Sequence, residues 1–170
     1  FKLATGGAFS CAQWDRMFRD IRCVGVNGAG QLGNGTTTAS ITGTWVSIPD
    51  PYADYTLSDF AANGSHACFV EQETHQGPFA VYCWGFNGYG QVGIGTTQNV
   101  LTPTQVVLPS NGIRANLAMG EFHTCNYTPV SWYDPHFPPF ASASGLRCWG
   151  RNDYGQLGDG STTTRLSPVL

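Results

Sequence analysis

Six cysteines and four histidines are the side chains of this 170-residue sequence best suited to chemistry. Thiolates and imidazoles hold soft metals, and cysteines outside a reducing compartment close disulfides. Cys11, Cys68 and Cys125 end the stretches GGAFSC, NGSHAC and GEFHTC, at two intervals of 57 residues. His66 and His123 stand two residues before such a cysteine, a spacing that suits a metal only if those thiols are free. The first unit has Phe9 at this place, and a position that accepts phenylalanine reads as packing. Glu71 and Glu73 are spaced as a general acid and base, but with Asp15, Asp20 and Asp134 they lie between the cysteines of a unit, where solvated hairpin tips are expected. His75 and His136 fall in variable loops without an evident carboxylate partner. No nucleophile elbow, HExxH helix or P-loop occurs, and the glycines of NGAGQLG do not join a strand to a helix. The chemistry left to the cysteines is cross-linking, and the chain reads as neither an enzyme nor a metal or cofactor protein.

The elements that carry these residues come in threes. CVGVNGAGQLG starts at Cys23, CWGFNGYGQVG at Cys83 and CWGRNDYGQLG at Cys148, a long internal repeat. Runs such as FAVYCWGF and TPTQVVLP are rich in β-branched and aromatic residues and bounded by Gly, Asn or Pro, which predicts strands. Asn27-Gly28, Asn87-Gly88 and Asn152-Asp153 read as tight hairpin turns. The GQLG or GQVG stretches (30–33, 90–93, 155–158) suit a crowded layer where backbones approach closely.

This pattern resembles the regulator of chromosome condensation repeat family, whose blades carry a WG-x-N-x-x-GQLG-x-G core and a proline ten residues after the last glycine of GQLG. Pro103 and Pro168 stand at that place, with Gly43 in the first unit, which also departs at Val24 where the others have Trp84 and Trp149. The resemblance implies an all-β protein of three four-stranded antiparallel propeller-type blades, as an open arc or part of a larger propeller. Closed relatives usually have seven blades, and propellers typically need at least four. Approximate blades are 1–52, 53–109 and 110–170. The repeat phase looks permuted: FKLAT aligns inside later units and LSPVL with the strand before them, so residues 165–170 are expected to be a surplus strand for closure or donation.

Six cysteines admit fifteen pairings, and repeat symmetry selects Cys11 with Cys23, Cys68 with Cys83 and Cys125 with Cys148; the alternative is six reduced, buried thiols. Asn34, Asn63 and Asn126 open N-glycosylation sequons. Cysteine pairs and sequons together point to an extracellular or cell-surface glycoprotein. With no long apolar run, no membrane span is expected. Charged residues make up 11% of the chain, net charge is −3 and Lys2 is the one lysine, so no basic footprint for nucleic acid exists. The longest inter-cysteine segment holds VSWYDPHFPPF, whose Trp132, Tyr133, Phe137 and Phe140 read with Leu166, Val169 and Leu170 as an interface. The leading expectation is a structural subunit that joins other copies head to tail by terminal strand exchange, as a filament or surface coat. The alternative is a binding module or secreted inhibitor that presents loops to a protein partner; exchange-factor-like or lectin-like roles rank lower.

Overall fold

A computed structural model describes residues 2–14, 20–49, 55–73, 79–108, 115–128 and 145–170. Among them run twelve strands: β1 (Lys2–Thr5), β2 (Phe9–Gln13), β3 (Ile21–Gly25), β4 (Ser40–Trp45), β5 (Tyr55–Asn63), β6 (His66–Glu73), β7 (Phe79–Gly85), β8 (Val100–Val106), β9 (Asn116–Met119), β10 (His123–Thr128), β11 (Gly145–Gly150) and β12 (Arg165–Val169). They form three four-stranded antiparallel sheets, each from four consecutive strands. The first strands lie side by side, β1 against β5 and β5 against β9.

The strand phase corrects one expectation. β12 pairs antiparallel with β11, through Cys148 with Val169 and Gly150 with Arg165, and completes the third sheet. Residues 165–169 are therefore not surplus, and the first sheet lacks no strand. The cause is local: the GQLG loop turns the chain back onto the strand it has just left. β4 returns in the same way onto β3, and β8 onto β7.

Period-two alternation sets what each sheet buries. On β6, His66, Cys68 and Val70 face the third blade, whereas Ala67 and Phe69 face the first, so both faces are covered. Two cores result. The first joins Phe9, Leu32, Leu57, Phe60, Phe69 and Trp84 between blades one and two. The second joins Val70, Val81, Val92, Val106 and Trp149 between blades two and three.

The cysteines lie directly opposite one another on paired strands, and the three disulfides join Cys11 to Cys23, Cys68 to Cys83 and Cys125 to Cys148. Each closes a loop of 12, 15 or 23 residues. In the chain-entropy account a loop of this size contributes about 3 kcal/mol.

The asparagines expected at tight turns do open them, since Gly30, Gly90 and Gly155 N donate to the carbonyls of Asn27, Asn87 and Asn152, and their side chains do more. Asn27, Asn87 and Asn152 are fully buried. Asn27 Nδ2 donates to Thr36 O and Thr38 O, and its Oδ1 accepts from Leu32 N. Asn87 and Asn152 repeat the same three bonds in their own blades. One amide thus stands in for the backbone partners that a loop of this length lacks, and it folds the whole connection from third to fourth strand around itself.

Candidate interaction site

The blades join through a contact made twice. Between blades one and two, Trp84 Nε1 donates to Gln31 O at 2.9 Å. The indole sits where a side chain on residue 33 would be, since a Cβ on Gly33 would lie 2.7 Å from Nε1. Leu101 of β8 covers Gly30 in the same manner, and Gly35 N donates to Leu101 O at 2.9 Å. Between blades two and three, Trp149 Nε1 donates to Gln91 O at 2.9 Å, Leu166 covers Gly90 and Gly95 N donates to Leu166 O at 2.9 Å. Both indoles are 0% exposed. This explains the glycine spacing of the repeat: the GQLG loop of one blade is the seat for the tryptophan and fourth-strand leucine of the next.

The second contact adds a polar relay. His66 Nε2 is 2.9 Å from Thr124 Oγ1, which donates to Gln91 O at 2.9 Å. Because the single hydroxyl proton goes to Gln91, the His66 ring must donate from Nε2. Burial, with His123 as a further cause, pushes His66 down to about 3, so the ring is neutral at ordinary pH. His123, at the matching place in blade three, is half-buried, and burial lowers its pKa too.

Asp59 ties the inner strands together, a role its sequence position did not signal. Its Oδ1 meets Lys2 Nζ at 2.8 Å and its Oδ2 accepts from Leu117 N at 2.8 Å, so one carboxylate holds all three blades. A surface cluster was likewise not anticipated. Across blades two and three Phe86 meets Tyr89 and Phe122 edge to face and Tyr89 tilts against Phe122, with the Arg151 guanidinium 5.2 Å from the Tyr89 ring centre and paired to Asp153 at 2.6 Å. The residue after the third-strand glycine varies from Val26 to Phe86 to Arg151, and that variation is the only hint in the sequence.

The same contact is left half-made on two faces. On the outer face of blade three, Gly158 and Gly160 have open space where Gly33, Gly35, Gly93 and Gly95 meet the next blade. On the outer face of blade one, Ile41, the counterpart of Leu101 and Leu166, is 94% exposed, and Val24 replaces the tryptophan at 36% exposure. Other exposed apolar groups share these faces: Leu3 on β1 and Trp45 on β4 of blade one, and the paired Tyr127 and Leu146 on blade three.

The remaining sequence-predicted residues divide. Leu166 is an interface residue inside the molecule, Val169 pairs within the third sheet and Leu170 is exposed. Trp132, Tyr133, Phe137 and Phe140 lie outside the described residues, as do His75, Asp134 and His136. Asn63 is exposed at the β5–β6 turn, where its Nδ2 donates to Met119 O, and Asn34 is half-buried in the GQLG loop. Asn126 is 0% exposed on the face turned to blade two, so a glycan there is incompatible with the folded blade, which corrects that expectation. Among the described residues no group of three or more His, Cys, Asp or Glu could hold a metal ion, and no helix is long and apolar enough to cross a membrane.

Residues 80–126 and 148–170 match the regulator of chromosome condensation (RCC1) repeat. The ultraviolet-B receptor UVR8 of Arabidopsis thaliana is 26% identical over 150 residues, covering 88% of this chain and 30% of the receptor. The probable E3 ubiquitin-protein ligase HERC4 of Homo sapiens is 32% identical over 88 residues, 52% of this chain and 7% of the ligase. The crystal structure of Prp20p from Saccharomyces cerevisiae, described with its binding to Gsp1p and histones, matches with a TM-score of 0.71 at 16% identity, over 99% of this chain and 37% of Prp20p. The chain therefore spans 7% to 37% of the length of these relatives.

Proposed function

We propose that this chain, a repeat protein of RCC1-like blades, works outside the cell by protein contact rather than by catalysis, and that it assembles with other copies of itself as a structural glycoprotein. The observation that carries this reading is the contact between blades, complete at two places and half-made at two others. Two exposed apolar faces that each repeat one side of an internal interface are built for a partner that repeats the other side. Three disulfides favour an oxidising compartment, and exposed Asn63 is the best-placed glycan acceptor. Because β12 is already paired, assembly here runs through blade faces and not through donation of a strand.

A second reading, a module that binds a different protein, draws on the aromatic and Arg151 cluster and on the binding described for Prp20p. Light scattering on oxidised protein, followed by electron microscopy of the unfractionated material, tests the two. Concentration-dependent particles of several chains support self-assembly. Monomers at every concentration contradict it and turn the search to the aromatic cluster.

A further inference from the structure

We infer that the Asn63-Gly64 turn is a self-modification site, at which the fold holds the Gly64 nitrogen against the Asn63 side chain so that this asparagine loses ammonia and becomes aspartate or isoaspartate. The other described Asn-Gly pairs are kept intact. Such pairs stand at Asn27, Asn34, Asn63, Asn87 and Asn111, the last outside the described residues. In the reaction the Gly64 nitrogen bonds to Asn63 Cγ, the Cγ–Nδ2 bond breaks, and the Gly64 N–H proton leaves with Nδ2 as ammonia. A five-membered succinimide remains. Solvent water then adds to one of its two carbonyl carbons and breaks that carbon's bond to the Gly64 nitrogen, which regains a proton. Cleavage at Cγ gives aspartate, and cleavage at the main-chain carbon gives isoaspartate, whose chain runs through the side-chain methylene.

The surroundings of the described pairs decide which of them reacts. Gly64 N donates to Asn63 Oδ1 at 2.7 Å, so the nitrogen already lies beside the carbon it attacks, and Asn63 is exposed to the water that opens the ring. Gly64 has no Cβ to obstruct the approach and takes φ +52. At Asn34 the following nitrogen is turned away, because Gly35 N donates to Leu101 O at 2.9 Å, and Oδ1 is held by Thr36 N and Thr36 Oγ1. Asn27 and Asn87 are fully buried, with Oδ1 accepting from Leu32 N and Val92 N and Nδ2 donating to two carbonyls each. Their amides can neither rotate nor meet water.

The turn is also where blade two touches both neighbours. Asn63 Nδ2 donates to Met119 O at 2.9 Å, Gly64 O accepts from Gly7 N at 2.7 Å, and a Cβ on Gly64 would lie 2.5 Å from Glu121 O. Aspartate removes the donor and sets a carboxylate against the Met119 carbonyl. Isoaspartate lengthens the turn by one atom and moves Gly64 O off Gly7 N. Either product loosens blade two from its neighbours at this end. Asn63 also opens the sequon Asn63-Gly64-Ser65. Resting on the glycoprotein reading, a sugar on Nδ2 leaves one hydrogen for Met119 O and bars the loss of ammonia, so glycosylation and deamidation exclude each other.

The test is peptide mapping by mass spectrometry of the whole oxidised chain and of Ser65→Ala, which ends the sequon but keeps the Asn-Gly pair, during incubation at mildly alkaline pH. In folded Ser65→Ala, conversion at Asn63 is expected to run at least about tenfold faster than at Asn27, Asn34 and Asn87, with isoaspartate among the products. In the reduced, urea-unfolded chain the four rates are expected to draw together, because the selection comes from the fold. Conversion at Asn63 no faster than at the buried pairs would overturn the inference, and so would the same ranking of rates in the unfolded chain. Resistance of the parent alone would support the site with a glycan on it, whereas equal conversion of parent and variant would support the site and speak against the glycan. Asn63→Asp, one product made by substitution, is expected to raise hydrogen exchange in β9; unchanged exchange would overturn the loosening.

Discussion

The contact between blades one and two and the contact between blades two and three share one frame and fill it with opposite chemistry. Both seat an indole on a glycine and a leucine on another. The first is then packed with aromatic rings: Phe60 lies 6.3 Å from Trp84, Phe69 lies 5.9 Å from it, and Phe9 is buried among them. The second replaces the phenylalanine of Phe9 by His66 and the methyl of Ala67 by Thr124, which makes a buried hydrogen-bonded relay. The backbone frame fixes where blades meet, and the side chains at two positions decide whether the junction is dry or titratable.

Several changes would break or sharpen this contrast. Trp84→Ala, which empties the ring cluster, is expected to cost about 3–5 kcal/mol in chemical denaturation. Trp149→Ala is expected to cost less, because fewer rings lean on it; equal losses would erase the distinction. Removing the Cys68–Cys83 disulfide by paired alanines is expected to cost about 3 kcal/mol and to loosen both junctions, since the central blade faces each. Acid should separate the two. The His66 pKa, about 3 when folded, lies below its ordinary 6.5, so the unfolded chain binds the proton first as pH falls. Stability from this group is then full above pH 6.5 and is lost toward pH 3, at roughly 1 kcal/mol per pH unit. Hydrogen exchange is expected to rise in β10 and the 90–93 loop over that window while β2 and the 30–33 loop hold, and His66→Phe with Thr124→Ala is expected to flatten the dependence. The smallest effect belongs to Thr124→Val, about 1–2 kcal/mol, read by thermal melting, because the Gln91 carbonyl keeps its indole donor.

Much of the architecture was legible because the repeat writes it three times. The 57-residue beat of Cys11, Cys68 and Cys125 locates the second strand of every blade, and the cysteine of each WGxN stretch locates the third. Local rules failed where long-range partners decide. Asn27-Gly28 does open a turn, but nothing in the dipeptide signals that its amide is claimed by carbonyls nine and eleven residues on. The β12 strand was phased by analogy with closed rings, although the return after GQLG pairs it with β11. The burial of Asn126 was within reach, because it aligns one residue past the cysteine with Phe69, a core ring. Asp59 was not, since its partners Lys2 and Leu117 lie on two other blades.

The central claim is that one contact, an indole and an aliphatic side chain seated on the glycines of GQLG, joins blades within a copy and between copies. Val24→Trp tests it most directly, because it supplies on the outer face of blade one the group that Trp84 and Trp149 supply inside. Measured by sedimentation equilibrium, the variant is predicted to associate roughly tenfold more tightly than the parent, in keeping with about 1.4 kcal/mol for an added buried ring and its hydrogen bond. Unchanged or weaker association would contradict the claim, for it would mean that Gly158 is not a seat.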